Sequence, residues 1–415
     1  MTTDAIQGGD AAIGPVAPKD RIFTLDMLRG WAILGILAVN AMAFAWPATL
    51  VMGGMHIAPF PHDQANILGH WATDAFFQDK FRSLFSMLFG VSIFLIGGER
   101  YDETRGPLLT RRLMWLGLFG LIHGFVFWYG DILLHYAYTG LLVMMVRSWS
   151  AKKLIWTGMA VNGVFAILSL GMSLLAGGLS GGGQGQGNPF AATPEQLQAV
   201  IDAYRSGWPA GLIENLKAAL MLQTMSVMLI PITGGLMMLG LGLFKAGFLT
   251  GRSATWIYAV VGLIGVADLV GFAWYDWLML SAPRGAPDPT HGVADAFGSF
   301  APLITLGYVS LLILMTKFGL RALTARLAPV GRMAFTNYLT QTLIMATLFY
   351  MPWGPHWLGD PAWGPGRLWI VIGAIWVLQL IWSPLWLSRF QMGPLEWLWR
   401  CLTYGRRVPL TRPAG

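Results

Sequence analysis

The sequence predicts an all-α protein, a polytopic transmembrane helix bundle of about ten spans with cytoplasmic N- and C-termini. Hydrophobic residues make up 55% of the 415-residue chain and charged residues only 11%, whereas a soluble globular chain carries roughly 25% charged residues. The mean hydropathy is +0.57. The 20 Trp and 23 Phe exclude a low-complexity chain. We therefore expect a membrane protein and exclude a water-soluble one.

A helix needs about 20 mostly apolar residues to cross a hydrocarbon core of roughly 30 Å. The chain contains ten such stretches, which lie near residues 22–46, 79–98, 111–130, 132–147, 154–178, 217–243, 254–280, 299–318, 332–352 and 367–389. The first stretch is too long for the apolar region of a signal peptide and lacks a small-residue cleavage site, so we expect it to be retained.

The remaining segments divide the chain into three parts. Residues 1–20 are polar and are predicted to be a disordered tail, and residues 21–390 form the transmembrane bundle. Within the bundle, residues 179–216 form an outer connection with a Gly-rich linker, followed by a short amphipathic helix whose N-cap is Thr193. Residues 391–415 interleave aromatic residues with Arg, which predicts an amphipathic segment in the inner headgroup region.

The distribution of basic residues predicts the orientation. Cytoplasmic loops of membrane proteins are enriched in Lys and Arg. Most of the 27 Lys and Arg residues fall on one side if the N-terminus is cytoplasmic. An even number of spans, with both ends inside, fits this distribution, and it also explains the net charge of +7 without a nucleic-acid partner.

Ionisable groups inside a bilayer are costly and usually face the bundle interior or a cavity, so function is sought there. In the first span, Asp26, Arg29 and Asn40 lie on one helical face. Asp26 and Arg29 can form an ion pair that locks the span to its neighbours. Alternatively, Arg29 belongs to an anion site, because its guanidinium offers two parallel donors to phosphate or carboxylate.

The third span places His123 just past the membrane midplane, between Gly120 and Gly124. An imidazole there can exchange a proton near neutral pH, or it can be a core residue bonded to a backbone carbonyl. Asp131 is predicted to cap the fourth helix, and a catalytic role is the alternative. His135 shares its face, so an Asp131–His135 pair is also possible.

Three polar residues lie along the ninth span. Arg332 is at its inner end, and Asn337 and Gln341 are stacked four residues apart. They favour either a binding site or hydrogen bonds between helices. Asp268, a deep carboxylate in the seventh span, is expected to be neutral or to pair with His123 or an Arg.

Metal, nucleotide and disulfide chemistry have little support. The motifs GxxxxGK[ST], HExxH and GxSxG are absent. Cys401 is the single cysteine, which excludes an intrachain disulfide and a cysteine-based zinc site. His56, His62 and His70 are irregularly spaced on a predicted outer loop, so no metal site and no bound cofactor are expected.

Five stretches also carry a family resemblance: TLDMLRGWAILGILAVN (Thr24–Asn40), KFRSLFSMLFG (Lys80–Gly90), GLIHGFVFWYGDILLHYA (Gly120–Ala137), GRMAFTNYLTQTLI (Gly331–Ile344) and GPLEWLWRCLTYG (Gly393–Gly405). They occur in family order over nearly the whole chain. On these stretches the chain resembles the YeiB-like family of bacterial inner-membrane proteins, whose domain is of unknown function. That family is similar to multi-pass acyltransferases such as the lysosomal heparan-alpha-glucosaminide N-acetyltransferase and sugar O-acetylating enzymes.

The resemblance implies acyl transfer from cytoplasmic acyl-CoA, a co-substrate, to an acceptor presented within or across the membrane. It leaves two candidates for the reactive histidine. In the heparan enzyme this residue precedes the second span, which corresponds to His70. The YeiB-like pattern has its characteristic histidine in GLIHG, at His123. In this hypothesis Arg29 and Arg332 hold phosphate groups, and Asn40, Asn337 or Gln341 donates to the developing oxyanion.

Two other functions compete with the enzyme. A transporter of a small metabolite or organic anion would use the same polar residues, with His123 and Asp268 coupling protons. In a non-catalytic membrane protein, the buried charges would only fix the packing. Under each hypothesis we expect a multi-pass protein of the bacterial inner membrane, with membrane lipids around it. The first two also require a small-molecule substrate.

Overall fold

The computed structural model describes residues 22–53, 57–180, 192–283 and 300–412. The described residues are helical apart from turns, loops and one isolated antiparallel bridge between Phe390 and Thr411. The all-α prediction is therefore confirmed for this part of the chain. The predicted N-terminal tail, His56 and most of the Gly-rich linker lie outside the described residues.

Between residues 22 and 180, the part of the chain that the structure describes contains seven α-helices. They are α1 (Phe23–Ala45), α2 (Ala48–Gly53), α3 (Gln64–Phe76), α4 (Lys80–Gly97), α5 (Arg105–Ile122), α6 (Leu133–Val143) and α7 (Ala151–Ser180). A π-helical turn, His123–Phe127, follows α5 directly, and a short 3-10 turn, Met144–Val146, follows α6.

Ten further helices follow among the described residues from 192 onward. They are α8 (Pro194–Arg205), α9 (Trp208–Met228), α10 (Ile230–Lys245), α11 (Thr255–Ser281), α12 (Ala301–Lys317), α13 (Arg321–Thr324), α14 (Leu327–Arg332), α15 (Ala334–Phe349), α16 (Pro365–Arg389) and α17 (Pro394–Tyr404).

Every predicted span coincides with at least one helix, but the count of ten spans stays a prediction. Within the described residues, five helices are long and apolar enough to cross a membrane, or six if the bent pair α9–α10 is one span. The five are Phe23–Ala45, Gln64–Gly97 (α3 and α4 taken together), Ala151–Met172, Thr255–Ser281 and Pro365–Arg389. Length and composition therefore support a membrane protein, while the cytoplasmic placement of the termini remains an expectation.

The prediction of one uninterrupted helix over 217–243 is wrong. The structure has two helices, α9 and α10, which meet at Leu229 with a bend of 62°. Pro231 lies in the first turn of α10. Proline has no amide hydrogen to donate to the preceding turn, and its ring clashes with the carbonyl four residues earlier, so a helix breaks before it.

The outer loop predicted to carry His56, His62 and His70 is partly helical where the structure describes it, since α2 and α3 lie there. His70 therefore lies on a helix rather than on a loop. The short amphipathic helix predicted after the Gly-rich linker is confirmed as α8. Its capping box joins the Thr193 side chain to the Gln196 amide and the Gln196 side chain to the Thr193 amide.

Helix α1 lies at the centre of the bundle and contributes to three apolar clusters. It packs against α4, α14, α15 and α16. At its start, Gly30 faces Gly331 of α14 so closely that a Cβ on either residue would overlap the other helix's backbone. Helices α7 and α11 are mostly exposed at the periphery, as expected of lipid-facing helices.

Candidate functional site

The candidate site begins where α5 changes to a π-helical turn at His123. The His123 carbonyl accepts a hydrogen bond from the Trp128 amide at 2.9 Å, which closes the wider turn. Such π-turns insert one extra residue into a helix and occur often at functional sites. Here the turn places His123, 3% exposed, in the bundle interior.

Both ring nitrogens of His123 have hydrogen-bond partners. Nδ1 lies 2.7 Å from Oδ1 of Asp131, and Nε2 lies 2.9 Å from Oγ1 of Thr342 on α15. Because an ionised carboxylate can only accept, Nδ1 carries the hydrogen toward Asp131. In the neutral imidazole Nε2 is then the acceptor, and the Thr342 hydroxyl donates to it. The three side chains form an Asp–His–Thr line that is almost fully buried.

Asp131 is held in place by the start of α6. Its second oxygen, Oδ2, accepts a hydrogen bond from the Leu134 amide at 2.8 Å, so the predicted helix-capping role is present. Gly120 and Gly124 allow the close approach. A Cβ on Gly120 would overlap the Leu134 backbone, and a Cβ on Gly124 would lie 3.0 Å from the Asp131 Cβ. The space that these glycines leave is therefore filled by Asp131 and α6.

Asn215 on α9 holds the π-turn from the other side. Its side-chain amide nitrogen lies 3.1 Å from the carbonyl oxygens of both Gly124 and Phe125, to which it donates. Its amide oxygen accepts from the Tyr129 amide at 2.8 Å. These backbone groups have left the regular helical pattern, and Asn215 satisfies them in the interior.

Aromatic rings surround the imidazole. The ring of Tyr338 lies 5.3 Å from that of His123, and the ring of Trp128 lies 6.2 Å away. Electrostatic interactions are stronger in such dry surroundings than in water. The hydrogen bonds in the Asp–His–Thr line therefore fix the orientation of the imidazole firmly.

The first-span residues lie elsewhere. Arg29 pairs with Asp26 at 3.3 Å and donates to the Ser92 hydroxyl at 2.9 Å, so the ion pair considered from the sequence is present. Asn40 is half-buried farther along α1 and takes no part in the Asp–His–Thr line. Arg332 donates to the Gln391 carbonyl at 3.1 Å, which ties α14 to the segment before α17.

Asn337 and Gln341 belong to a hydrogen-bond network between α15 and α16. The Gln341 amide donates to Gln379 at 2.9 Å and to the Ile33 carbonyl of α1 at 3.1 Å. Asn337 donates to the Ser383 hydroxyl at 3.1 Å and accepts from the Trp382 indole. This arrangement matches the interhelical alternative, and a role in substrate binding stays a prediction for both residues.

Three pairings considered from the sequence are wrong. Asp131 pairs with His123, and His135 instead bonds the hydroxyls of Tyr138 and Thr233. Among the described residues, Asp268 pairs with neither His123 nor an Arg, and Lys80 is the charged residue that acts on it. The wider π-turn brings residues 123 and 131 together, and helical spacing alone does not reveal that contact.

His70, the second candidate base, lies in a different environment. Its Nε2 is 3.7 Å from Asp74 in the next turn of α3, and both side chains are partly exposed. It is not part of the Asp–His–Thr line. Among the described residues, no group of three His, Cys, Asp or Glu side chains could hold a metal ion.

Four arginines gather at one end of the bundle. The Arg112 guanidinium stacks 3.6 Å from the Trp399 ring of α17, and the charges of Arg400 and Arg29 act on it. Arg332 lies at the end of α14, which packs against the start of α1. The carboxylate of Glu396 is an opposite charge near Arg112, and Asp26 pairs with Arg29. We call Arg29, Arg112, Arg332 and Arg400 the arginine end.

A cavity of about 540 Å³ lies beside α9, between α2 and α8. Glu214 and Lys217 line it and flank Asn215, the residue that holds the π-turn. None of the site residues predicted from the sequence lines this cavity. Its wall nevertheless reaches the helix that positions the segment after His123.

Sequence reasoning missed Thr342, Tyr338 and Asn215. Thr342 directly follows Gln341 in the stretch Gly331–Ile344. Its partner, His123, is 219 positions away in the sequence. Asn215 is the single polar residue of α9 that is bonded to the π-turn, and it lies just before the predicted span at 217. An Asn close to the boundary of a predicted span is a sequence signal that could have identified this residue.

The described residues form a helical bundle with a buried Asp–His–Thr line, and its long apolar helices suggest a membrane protein. A family model described as a protein of unknown function, DUF418, matches residues 243–406. The chain is 32% identical to the uncharacterized protein YeiB of Escherichia coli (strain K12), over 92% of this chain and 96% of that protein. The chain therefore belongs to the YeiB family.

A second relative is the uncharacterized protein YxaH of Bacillus subtilis (strain 168). It is 29% identical, and the match covers 97% of this chain and 99% of that protein. No solved structure matches the chain significantly. These relatives carry no activity in their names, so the function is argued below from the site.

Proposed function

We propose that the protein is an integral-membrane acyltransferase. It moves an acyl group from cytoplasmic acyl-CoA to an acceptor hydroxyl or amine that is reached from within or across the membrane. The observation that carries the proposal is the hydrogen-bonded line Asp131–His123–Thr342. In this line a carboxylate orients an imidazole whose other nitrogen faces a hydroxyl oxygen at 2.9 Å.

This geometry suits general base catalysis. A base must lie within about 2.6–3.2 Å of the group whose proton it accepts, and Nε2 meets that requirement at the Thr342 hydroxyl. Asp131 holds the tautomer that leaves Nε2 free to accept, and it stabilises the imidazolium that forms. Nε2 of His123 is therefore placed to accept the proton of a hydroxyl at this position.

The arginine end supports an anionic donor. The like charges of Arg400 and Arg29 act on Arg112, and a bound polyanion would relieve such repulsion. Guanidinium groups bind phosphate oxygens in pairs. Along α5, Arg112 precedes His123 by a helical rise of about 16 Å. The extended pantetheine arm of CoA can bridge a distance of this order from its phosphates to its thioester.

The transporter alternative has less support. It requires His123 and Asp268 to exchange protons along one path. His123 is bonded to Asp131 and Thr342, whereas Asp268 on α11 neighbours Lys80. The two groups therefore belong to separate clusters of the bundle.

The test uses the purified full-length chain in lipid nanodiscs with radiolabelled acetyl-CoA or palmitoyl-CoA and an extract of bacterial membranes as the acceptor source. We expect transfer of the label to a membrane component and thermal stabilisation by CoA. His123→Ala should abolish transfer while the protein still folds, which is checked by a cooperative unfolding transition, although the loss of two buried hydrogen bonds lowers the melting temperature. His70→Ala is the matched control and should retain transfer. Loss of transfer in His70→Ala alone would reassign the base, and absence of both transfer and CoA binding would contradict the proposed activity.

A further inference from the structure

Thr342 differs from its neighbour Thr340 in how its hydroxyl is used. The Thr340 hydroxyl donates to the Thr336 carbonyl at 2.7 Å, which is the usual backbone bond of a threonine in a helix. Thr342 instead directs its hydroxyl across the bundle to Nε2 of His123. The hydroxyl is thereby held next to a base, with the base oriented by a carboxylate.

This is the arrangement of an activated nucleophile: a hydroxyl, a base within hydrogen-bond reach and a third group that orients the base. Threonine and serine hydroxyls are weak nucleophiles unless such a base removes the proton. Thr342 is 2% exposed and His123 is 3% exposed. Water is therefore kept from the site, which protects an ester there from hydrolysis.

Tyr338 supplies an independent observation. It lies one turn before Thr342 on the same face of α15, and its ring is adjacent to His123. Its hydroxyl is buried and forms no hydrogen bond of ordinary geometry with the described residues. The backbone amide of Ile132 faces its oxygen. Because an amide can only donate, the phenolic hydrogen remains available to an oxygen that enters the site.

We infer that Thr342 is the acyl-carrying nucleophile and that the reaction passes through an acyl-Thr342 ester. This inference rests on the proposed acyltransferase function. In the first step, the Thr342 oxygen attacks the thioester carbonyl and its proton passes to Nε2 of His123. The new C–O bond forms, the C–S bond breaks, and the departing CoA sulfur takes the proton from His123.

The second step returns the enzyme to its starting state. The acceptor hydroxyl or amine gives its proton to Nε2 of His123 and attacks the ester carbonyl. The bond from the acyl carbon to the Thr342 oxygen breaks, and that oxygen recovers the proton from His123. In both steps Tyr338 donates to the carbonyl oxygen as negative charge develops on it, which is the role of an oxyanion-hole donor.

The test omits the acceptor. The full-length protein in nanodiscs receives labelled acetyl-CoA or palmitoyl-CoA, and the label on protein is measured after denaturation and mapped by mass spectrometry. Exchange of labelled free CoA into acyl-CoA is followed in parallel, because this exchange needs a covalent intermediate. We expect label on the peptide that contains Thr342. It should resist neutral hydroxylamine, since oxygen esters resist this reagent whereas thioesters and acyl-imidazoles are cleaved.

Three variants complete the test. Thr342→Ala should lose both the label and the exchange by at least about a hundredfold, Thr342→Ser should retain both, and Thr340→Ala should behave as the wild type. Acceptor-dependent transfer is measured for each protein. If Thr342→Ala transfers normally, or if the label is hydroxylamine-sensitive and maps to His123 or Cys401, the inference fails while the acyltransferase stands. If the wild type shows neither transfer nor label, both proposals fail.

Discussion

The side chain of Asn215 holds the carbonyl of Gly124, 91 positions earlier in the chain, at 3.1 Å. The contact connects α9 to the turn that presents His123. It also links the wall of the cavity beside α9 to the candidate site, since Glu214 and Lys217 on either side of Asn215 line that cavity. A ligand that moves α9 would therefore act on the π-turn directly.

Replacement of Asn215 tests this link. Asn215→Ala leaves the carbonyls of Gly124 and Phe125 and the amide of Tyr129 without their side-chain partner, and each buried unpaired group costs about 1–3 kcal/mol. We expect a clear fall in the melting temperature measured by tryptophan fluorescence. Gln198→Ala, at an exposed bond to Asp202 on α8, is the control. Equal stability of both variants would contradict the assigned role.

The Asp131 carboxylate is predicted to orient His123 rather than to react. Asp131→Asn retains an oxygen that can accept from the Leu134 amide, so the cap of α6 survives. The amide group can also donate to Nδ1, which favours the tautomer that places the hydrogen on Nε2. We expect the turnover rate to fall by roughly 10²-fold to 10⁴-fold with little change in melting temperature, by analogy with other oriented histidines. Turnover and unfolding are measured on the same preparation, and unchanged turnover would exclude the orienting role.

Gly120 tests the close contact between α5 and α6. A Cβ at this position overlaps the Leu134 backbone, and overpacking of this kind costs typically about 1–3 kcal/mol. We expect Gly120→Ala to lower the melting temperature and to reduce transfer. Gly163→Ala on α7 is the matched control, because its Cβ would meet no atom within 4 Å. Stabilisation by Gly120→Ala would show that the contact is looser than described.

Glu396 on α17 caps α15 from a distance in sequence. Its carboxylate accepts from the amides of Phe335 and Thr336 and from the Thr336 hydroxyl. Burial raises the pKa of Glu396 above its ordinary value, although these hydrogen bonds act to lower it. The folded protein therefore binds this proton more tightly than the unfolded chain does.

The sign of the pH effect follows from that raised pKa. The stabilisation from the protonated Glu396 is fully present below the ordinary glutamate pKa and is lost as pH rises through the raised value. We expect Glu396→Gln to remove this part of the pH dependence of the melting temperature. Glu195→Gln on the exposed start of α8 should leave it in place. An identical pH profile in wild type and Glu396→Gln would refute the assignment.

The arginine end is tested by CoA binding. Loss of one charge-assisted hydrogen bond costs about 1.5–3 kcal/mol, so Arg112→Gln should weaken CoA binding by roughly tenfold to a hundredfold. Thermal stabilisation is measured as a function of CoA concentration. Arg326→Gln is an exposed control near the start of α14. Similar losses in the two variants would indicate a general effect of charge rather than a site.

Composition and apolar length were enough to predict the all-α class and the positions of most helices. The predicted span at 79–98 corresponds to Lys80–Gly97, and that at 22–46 corresponds to Phe23–Ala45. The break at Leu229 was missed because the surrounding residues remain apolar on both sides. Hydropathy measures transfer into lipid, whereas the bend depends on the missing amide hydrogen of Pro231.

The candidate site was predicted in part. Because ionisable groups are costly to bury in a membrane, His123 and Asp131 could be predicted as candidate residues, but only as separate features. Their contact depends on the π-turn, whose extra residue no periodicity indicates. Thr342 was missed because threonine is common in membrane helices and usually bonds its own backbone, as Thr340 does. The tertiary contact with His123 distinguishes it.

The contact between His123 and Thr342 has a consequence for biosynthesis. During translation His123 is added to the chain 219 positions before Thr342. During that interval His123 and Asp131 lack their hydroxyl partner. A nascent chain that stops before α15 therefore lacks the complete Asp–His–Thr line. If the chain is divided between α12 and α13 and the two fragments are co-expressed, acyl transfer should return only when the fragments assemble in the same bilayer.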